Sequence, residues 1–227
     1  AQSPDIPFET AKVEHRTGNT VVTDRGELTA PLIVDAMGWR RVLSNKKAIQ
    51  PPKARLSRGL EVHPNGTGED LEIWLDAKYI RPGYSWSCPA GNEVRVGVGS
   101  FDPKVPVKGP TLDLCYDEGR PADGWQGNWI PHYLRPATED GVFFAGDSAG
   151  HCLPTTAEGI RTAFYFGIAC GRELRAVHTG AKTRERALAD YAAFSDAHER
   201  PFRLLKRAQD LVGHVVPRER LLRAVLR

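Results

Sequence analysis

The stretch that constrains this chain most is a short apolar run ending on glycine and aspartate, Val142-Phe143-Phe144-Ala145-Gly146-Asp147. Apolar residues in succession read as a buried strand. Gly146 lets backbone come close to another group, and Asp147 sets a carboxylate at the strand's carboxyl end. A loop with Pro154 follows. Thr155 and Glu158 then have the Thr-x-x-Glu spacing of a capping box, which predicts a helix N-terminus. Strand, acidic turn, loop and helix start form a place where a ligand can lie against backbone amides and a positive dipole end.

Two chemistries compete for that place. Gly146-Asp147-Ser148-Ala149-Gly150 fits Gly-x-Ser-x-Gly, the pattern of a serine nucleophile on a strand-to-helix elbow. An elbow needs its helix to begin at the serine, whereas Pro154 and the capping box set the start several residues later. Asp196 and His198 also lie too close together in one predicted helix to serve as acid and base. A trypsin-like Gly-Asp-Ser reading meets the helical character of everything after Thr155.

The second chemistry is a flavin site. Residues 142–171 resemble the second FAD-contacting segment of the p-hydroxybenzoate hydroxylase and geranylgeranyl reductase group. That pattern is a strand, Gly-Asp-Ala/Ser-Ala-Gly, a proline loop, Gly-Ile or Gly-Leu, and a long helix. The resemblance implies that Gly146 and Asp147 meet the ribityl chain, with Asp147 accepting its hydroxyls. It implies that the loop from His151 to Thr156, with Pro154, runs past the isoalloxazine. The amides near Gly159 and Ile160 would then face the pyrimidine edge, where a helix N-terminus stabilises the charge of reduced flavin.

A second motif is Tyr84-Ser85-Trp86-Ser87-Cys88-Pro89, followed by Gly97-Val98-Gly99. Period-two alternation sets Tyr84, Trp86 and Cys88 on one strand face, and the glycines of the next strand leave a groove opposite them. An aromatic wall over a glycine floor suits a flat or greasy ligand, although plain strand packing of aromatics gives the same pattern. The motif resembles the Tyr-x-Trp-x-Phe-Pro…Gly-x-Gly signature of geranylgeranyl reductases, with Cys88 in place of phenylalanine. The resemblance implies that Tyr84, Trp86, Cys88, Pro89, Gly97 and Gly99 line an isoprenoid cavity. Flavin halogenases have a related Trp-x-Trp-x-Ile-Pro.

The remaining chain reads in order. Lys12–His15 and Thr20–Asp24 flank a hairpin turn at Thr17-Gly18-Asn19. Leu32–Gly38 is a buried strand ending in Asp35-Ala36-Met37-Gly38, which resembles the last strand of an FAD-binding domain. Trp39-Arg40-Arg41 replaces the serine usual there, and the arginines either pair with a phosphate or are plain solvated basic residues. Asn45–Lys53 reads as a linker. Arg58–His63 and Leu71–Leu75 read as a loose hairpin burying Leu71, Ile73 and Leu75, with His63 in solvent. Residues 102–123 hold many prolines and glycines and suggest no role. Trp125–Ile130 leads back to the flavin domain, and Arg135 is a candidate for a substrate phosphate. After Glu158 the helix carries Ile160, Phe164, Ile168 and Leu174 on one stripe. Ala163, Gly167 and Gly171 form a small-residue face for packing on a sheet. A further helix spans Arg184–His198 and breaks at Pro201. A basic amphipathic tail from Phe202 either lies on a membrane or is an ordinary solvated helix.

The whole supports an α/β fold: a partial FAD-binding, Rossmann-like domain of the p-hydroxybenzoate hydroxylase type, an antiparallel substrate-binding sheet, and C-terminal helices. Strands of the FAD-binding domain fill 1–44, the substrate lobe 45–131, the second FAD-contacting segment 132–180, and helices 181–227. No Gly-x-Gly-x-x-Gly unit occurs. On the resemblance, roughly the first hundred residues of the parent are absent, and the piece by itself binds FAD weakly or not at all. Without an initiating methionine or a signal peptide, Ala1 is expected not to be a natural start. The expected activity is an FAD-dependent oxidoreductase reducing carbon–carbon double bonds of an isoprenoid or other hydrophobic or lipid substrate. NAD(P)H or a ferredoxin-like protein would be its reductant. Monooxygenase or halogenase chemistry, serine hydrolysis at Ser148, and a non-catalytic piece are the alternatives. His151 and Cys152 either donate the proton or serve to shape the loop. A net charge of +3 argues against nucleic acid, and no run is long enough to span a membrane. Cysteines 88, 115, 152 and 170 have no metal-ligand spacing and point to a reducing cytoplasm.

Overall fold

The computed structural model describes residues 6–45 and 56–214. The chain opens with a meander of β1 (Val13–Thr17), β2 (Thr20–Thr23) and β3 (Gly26–Thr29), turned at Gly18. After β4 (Ile33–Asp35) come β5 (Leu56–Val62), β6 (Glu72–Trp74), β7 (Gly83–Ala90) and β8 (Glu93–Ser100). Helix α1 (Lys108–Asp117) and β9 (Gln126–Pro131) complete this lobe. Then follow β10 (Thr138–Glu139), β11 (Val142–Phe144), α2 (Ile160–His178), α3 (Arg184–Asp196) and α4 (Glu199–His214). The fold is α/β with antiparallel sheets and C-terminal helices, as the sequence predicts.

The predicted buried strand is β11. It pairs parallel with β4, Val142 opposite Ile33 and Phe144 opposite Asp35, and antiparallel with β10. Val142, Phe143 and Phe144 are fully buried, because helices and meander cover both faces of this small sheet. Val142 and Phe144 pack with Ile33, Leu43 and Ala149, while Phe143 packs with Cys170, Ala187 and Tyr191. Two strands far apart in sequence thus end side by side.

The five-stranded sheet has the order β6-β7-β8-β5-β9. Val62, Val94, Val96 and Val98 form its core with Leu114 and Cys115 of α1. The predicted hairpin of Arg58–His63 with Leu71–Leu75 does not form, since β6 pairs with β7 at the edge. Leu71, Ile73 and Leu75 are more than half exposed, and Trp74 packs on the core instead. The larger indole wins the inward face of a three-residue edge strand. Helix α1, in the stretch that suggested no role, buries Thr111, Leu114 and Cys115.

The helices also correct the expectation. Thr155 and Glu158 form no capping box. Ala157 adopts φ +55° and a bridge joins Leu153 to Glu158, so the chain cannot turn helical before Gly159. Ile160, Phe164 and Ile168 face outward at 78%, 69% and 55% exposure, while Thr162, Phe166 and Cys170 are buried. Pro201 lies in the first turn of α4, which begins at Glu199, where the N–H that proline lacks has no intrahelical partner to lose. Most of the predicted Asn45–Lys53 linker and the tail beyond His214 lie outside the described residues.

Candidate functional site

Beyond β11, residues Gly146–Ala149 make one 3-10 turn, closed by Gly150 at φ +70°. A side chain at Gly150 would collide with the Tyr133 carbonyl, so only glycine lets the turn close against the segment whose Arg135 amide donates to the Ala149 carbonyl. This turn places Asp147 in an open cleft of about 700 Å³. Ala36 and Gly38 bound the cleft after β4, and Ala163, Gly167 and Cys170 bound it along α2. The small residues of α2 therefore make room beside the sheet instead of packing on it.

Asp147 is the only charged residue among the described lining. It is half-buried, and among the described residues no hydrogen bond reaches its carboxylate. Burial raises its pKa above the usual carboxylate value, against the opposing pull of Arg135. Of the other predicted cofactor residues, Gly146, Gly159 and Ile160 line the same cleft. A Cβ at Gly159 would lie 3.7 Å from Asp147 Oδ1 and 3.8 Å from Cys152 Sγ, which brings all three positions together. Pro154 does not line it. It is buried, and its carbonyl accepts from the Gln209 side chain.

The two proton-donor candidates separate. Cys152 lines the cleft, and burial, aided by Asp147, drives its thiol pKa far up, so the proton stays on sulfur. His151 is fully buried between α2 and α3, stacked on Phe166 at 3.7 Å and 3.1 Å from Ser195 Oγ. Burial, then the charges of His198 and Arg41, push it down to about 3. A neutral imidazole outside the cleft donates no proton there, which corrects that expectation.

Ser148 is equally committed. Its hydroxyl, 0% exposed, donates to Asp35 Oδ1 at 2.6 Å and approaches the Gly38 carbonyl at 3.0 Å. Buried, bonded to Asp35 and with no histidine on it among the described residues, Ser148 is not placed as a nucleophile. Arg41 is buried against Glu139 at 3.2 Å and donates to the Ser148 carbonyl at 2.8 Å, so it is not a phosphate ligand. Arg40 is exposed over the Trp39 ring. Arg135 is buried and donates to the Trp39 carbonyl at 2.6 Å, and burial lowers it to about 10.

On the five-stranded sheet, Trp86 pairs with Gly97 and Tyr84 with Gly99. The indole lies over Gly97, Gly99 and Gly59, and a Cβ at Gly97 would overlap it. The glycine floor therefore seats Trp86 and is not an open groove, which corrects that expectation. The Tyr84 and Trp86 rings are 5.6 Å apart. Trp86 Nε1 donates to Glu61 at 3.1 Å, and Glu61 also meets His63 at 2.9 Å. His63 is thus half-buried between Glu61 and Glu93, not in solvent. Cys88 and Pro89 lie further along β7 towards its turn with β8, opposite Arg95 and Val94. Among the described residues no cluster could hold a metal ion. Sequence reading missed Ile130 and Cys170 in the cleft, Glu61 under Trp86 and Gln209 on the Pro154 carbonyl, because their partners are distant in the chain.

No family model matches the chain, and no curated protein matches its sequence. The likeness is in three dimensions. A geranylgeranyl bacteriochlorophyll reductase-like protein from Thermoplasma acidophilum superposes with a TM-score of 0.68 at 16% identity, over 92% of this chain and 57% of its own. BrvH, a flavin-dependent halogenase from Brevundimonas sp. BAL3, gives 0.63 at 12% identity, over 93% and 45%. PqsL, a probable FAD-dependent monooxygenase from Pseudomonas aeruginosa, gives 0.55 at 19%, over 85% and 60%. The chain spans about half the length of these structures. At such identities the likeness speaks for architecture. The chain has the fold shared by these flavin-dependent monooxygenase, halogenase and reductase-like proteins.

Proposed function

We propose that this chain is the cofactor- and substrate-facing part of an FAD-dependent oxidoreductase that reduces carbon–carbon double bonds of an isoprenoid or other hydrophobic substrate. The observation that carries the proposal is the Asp147 carboxylate, half-buried in an apolar cleft with no donor on it among the described residues. A carboxylate desolvated in this way is stabilised by donors from a ligand, and the polyol tail of a flavin supplies them. Gly146, Asp147, Gly159 and Ile160 hold the cofactor in this proposal, and Pro154 shapes the loop through its carbonyl.

Bound FAD supplies the hydride. The chain supplies surroundings: Ile130 and the small residues of α2 exclude water, Tyr84 and Trp86 wall the substrate side, and Cys152 Sγ keeps a proton at the cleft. The four-part division at 44, 131 and 180 belongs to the same proposal, as does NAD(P)H or a ferredoxin-like protein as reductant. Four free cysteines support a reducing, cytoplasmic setting. No described helix is long and apolar enough to cross a membrane. A peripheral contact is proposed through α4, whose Leu204 and Leu211 face outward beside exposed arginines.

The test is FAD titration of the full-length protein, followed by flavin fluorescence, with product analysis on isoprenoid alkenes under reducing conditions. Saturable binding that Asp147→Ala weakens at least tenfold, with a saturated product, is expected. An Asp147→Ala protein that stays yellow and FAD-loaded sinks the proposal. Hydroxylated or halogenated product would move the chemistry to the monooxygenase or halogenase reading and leave the site intact.

A further inference from the structure

We infer that Tyr84 is a positioning residue for the cofactor loop: its hydroxyl ties the substrate-facing sheet to residues 153–158, making a ligand on the Tyr84–Trp86 face and a cofactor in the Asp147 cleft bind interdependently. The identity of the cofactor rests on the reading above, but the tie itself does not.

The loop has little to hold its shape from within. One backbone bond closes it, Leu153 N–H to the Glu158 carbonyl at 2.9 Å, and Ala157 sits at φ +55°, which a residue with a Cβ avoids. The rest comes from other elements. Thr162 Oγ1 of α2 donates to the Glu158 carbonyl at 3.1 Å, and Arg161 pairs with the Glu158 carboxylate. Pro154, Thr155 and Thr156 each make one bond to another element. The Gln209 side-chain amide donates to the Pro154 carbonyl, and Thr155 Oγ1 donates to the Leu205 carbonyl at 3.3 Å. Both tie the loop to α4. The Tyr84 hydroxyl donates to the Thr156 carbonyl at 2.8 Å and ties it to β7.

The β7 tie differs from the α4 ties in what its ring touches. Tyr84 packs on Trp86 at 5.6 Å and on Phe101 at 5.9 Å, so a ligand that displaces the aromatic wall displaces the hydroxyl. At the other end, Cys152, Ala157 and Gly159 line the cleft, so the shape of the loop is part of the shape of the cofactor site. A shift at either end is felt at the other, and such coupling must be reciprocal in binding free energy.

The test compares the full-length wild type with Tyr84→Phe, which removes one oxygen and keeps the ring. FAD is titrated by flavin fluorescence with and without farnesol, an apolar probe, and amide exchange over 153–159 is followed in the cofactor-free proteins. Wild type should show an FAD Kd that changes about fivefold or more with farnesol, and Tyr84→Phe a ratio near one. Leu153 N–H should exchange about tenfold faster in the variant. Gln209→Met, which removes one of the loop's two ties to α4, should speed exchange and keep the wild-type ratio. The inference is overturned if Tyr84→Phe keeps the wild-type ratio, if wild type shows no coupling, or if loop exchange is unchanged. Wild type that binds no FAD overturns the flavin reading, and the exchange comparison then decides the tie alone.

Discussion

The Ser148 hydroxyl lies 2.6 Å from the Asp35 carboxylate, joining the carboxyl ends of two parallel strands. Asp35 also accepts from the Met37 amide at 3.0 Å and the Leu43 amide at 2.9 Å, so its oxygens are engaged. Ser148 is therefore an architectural residue inside a motif that imitates a nucleophile. Ser148→Ala should cost about 1–3 kcal/mol, because it leaves a buried carboxylate short of one donor. Urea denaturation measures that loss. Fluorophosphonate labelling of Ser148 in the folded protein would contradict the assignment.

Asp147, one residue earlier, should behave in the opposite way. Its pKa is raised by burial, so the ionised form costs the fold stability at pH values above the ordinary carboxylate range. Asp147→Ala relieves that cost and removes the acceptor. The expected result is an unchanged or slightly higher melting temperature together with at least tenfold weaker FAD binding. A variant that loses its fold along with its binding would make Asp147 a structural residue.

The contrast shows which parts of the molecule were readable from sequence. The β11 strand and its Gly-Asp turn were legible because an all-apolar run can only be buried, and a glycine must follow where backbone closes tightly. The face of α2 was not. Ile160, Phe164 and Ile168 share a stripe that periodicity assigns to a core, yet the core lies on the side of Phe166 and Cys170. Periodicity reports that a face exists and not which neighbour covers it. Thr155 and Glu158 have capping spacing, but Thr155 is drawn to α4 and Glu158 to Arg161, both tertiary competitions. The role of Gly97 was legible as missing bulk, while its occupant, Trp86, required the register of β7 against β8.

Gly97 gives a third prediction. A methyl group at this position would overlap the Trp86 ring, and the Glu61 Cβ is close on the other side. Gly97→Ala should push the indole outward, break its bond to Glu61 and cost about 1–3 kcal/mol. A red-shifted tryptophan emission and a lower urea midpoint would report it. An unaltered spectrum would mean that Trp86 does not rest on this glycine.

His132 and His151 make the fold sensitive to acid. Burial lowers both from 6.5 to about 3, with Lys206 adding to the effect at His132 and His198 at His151. A base with a depressed folded pKa is protonated first in the unfolded chain. Its contribution is complete above pH 6.5 and is lost as the pH falls from 6.5 towards 3. Each histidine should give a slope approaching 1.4 kcal/mol per pH unit in that window. Urea midpoints at successive pH values measure the slope, and His151→Phe should reduce it by about one proton. The same slope in the variant would show that His151 takes up a proton in the native state.

Helix α4 buries polar side chains beside Phe202 and leaves leucines in solvent. Lys206 and Gln209 are 6% and 3% exposed, whereas Leu204 and Leu211 are 53% and 67% exposed. The inward face is accounted for by Gln209 on the Pro154 carbonyl and by the Lys206–Asp210 pair. The outward leucines are one turn-pair apart, with exposed Ala208 between them and exposed Arg200, Arg203 and Arg207 along the flank. An apolar stripe edged by arginines suits the boundary between acyl chains and anionic headgroups, where the leucines leave water and the guanidinium groups meet phosphate. The full-length protein should therefore sediment with phosphatidylglycerol-containing vesicles and far less with pure phosphatidylcholine. Leu204→Glu combined with Leu211→Glu should abolish sedimentation while leaving FAD binding unchanged, because neither residue lines the cleft. Replacing the three arginines by glutamine should weaken binding and flatten its salt dependence. Sedimentation that survives the double glutamate variant would assign the contact to another surface.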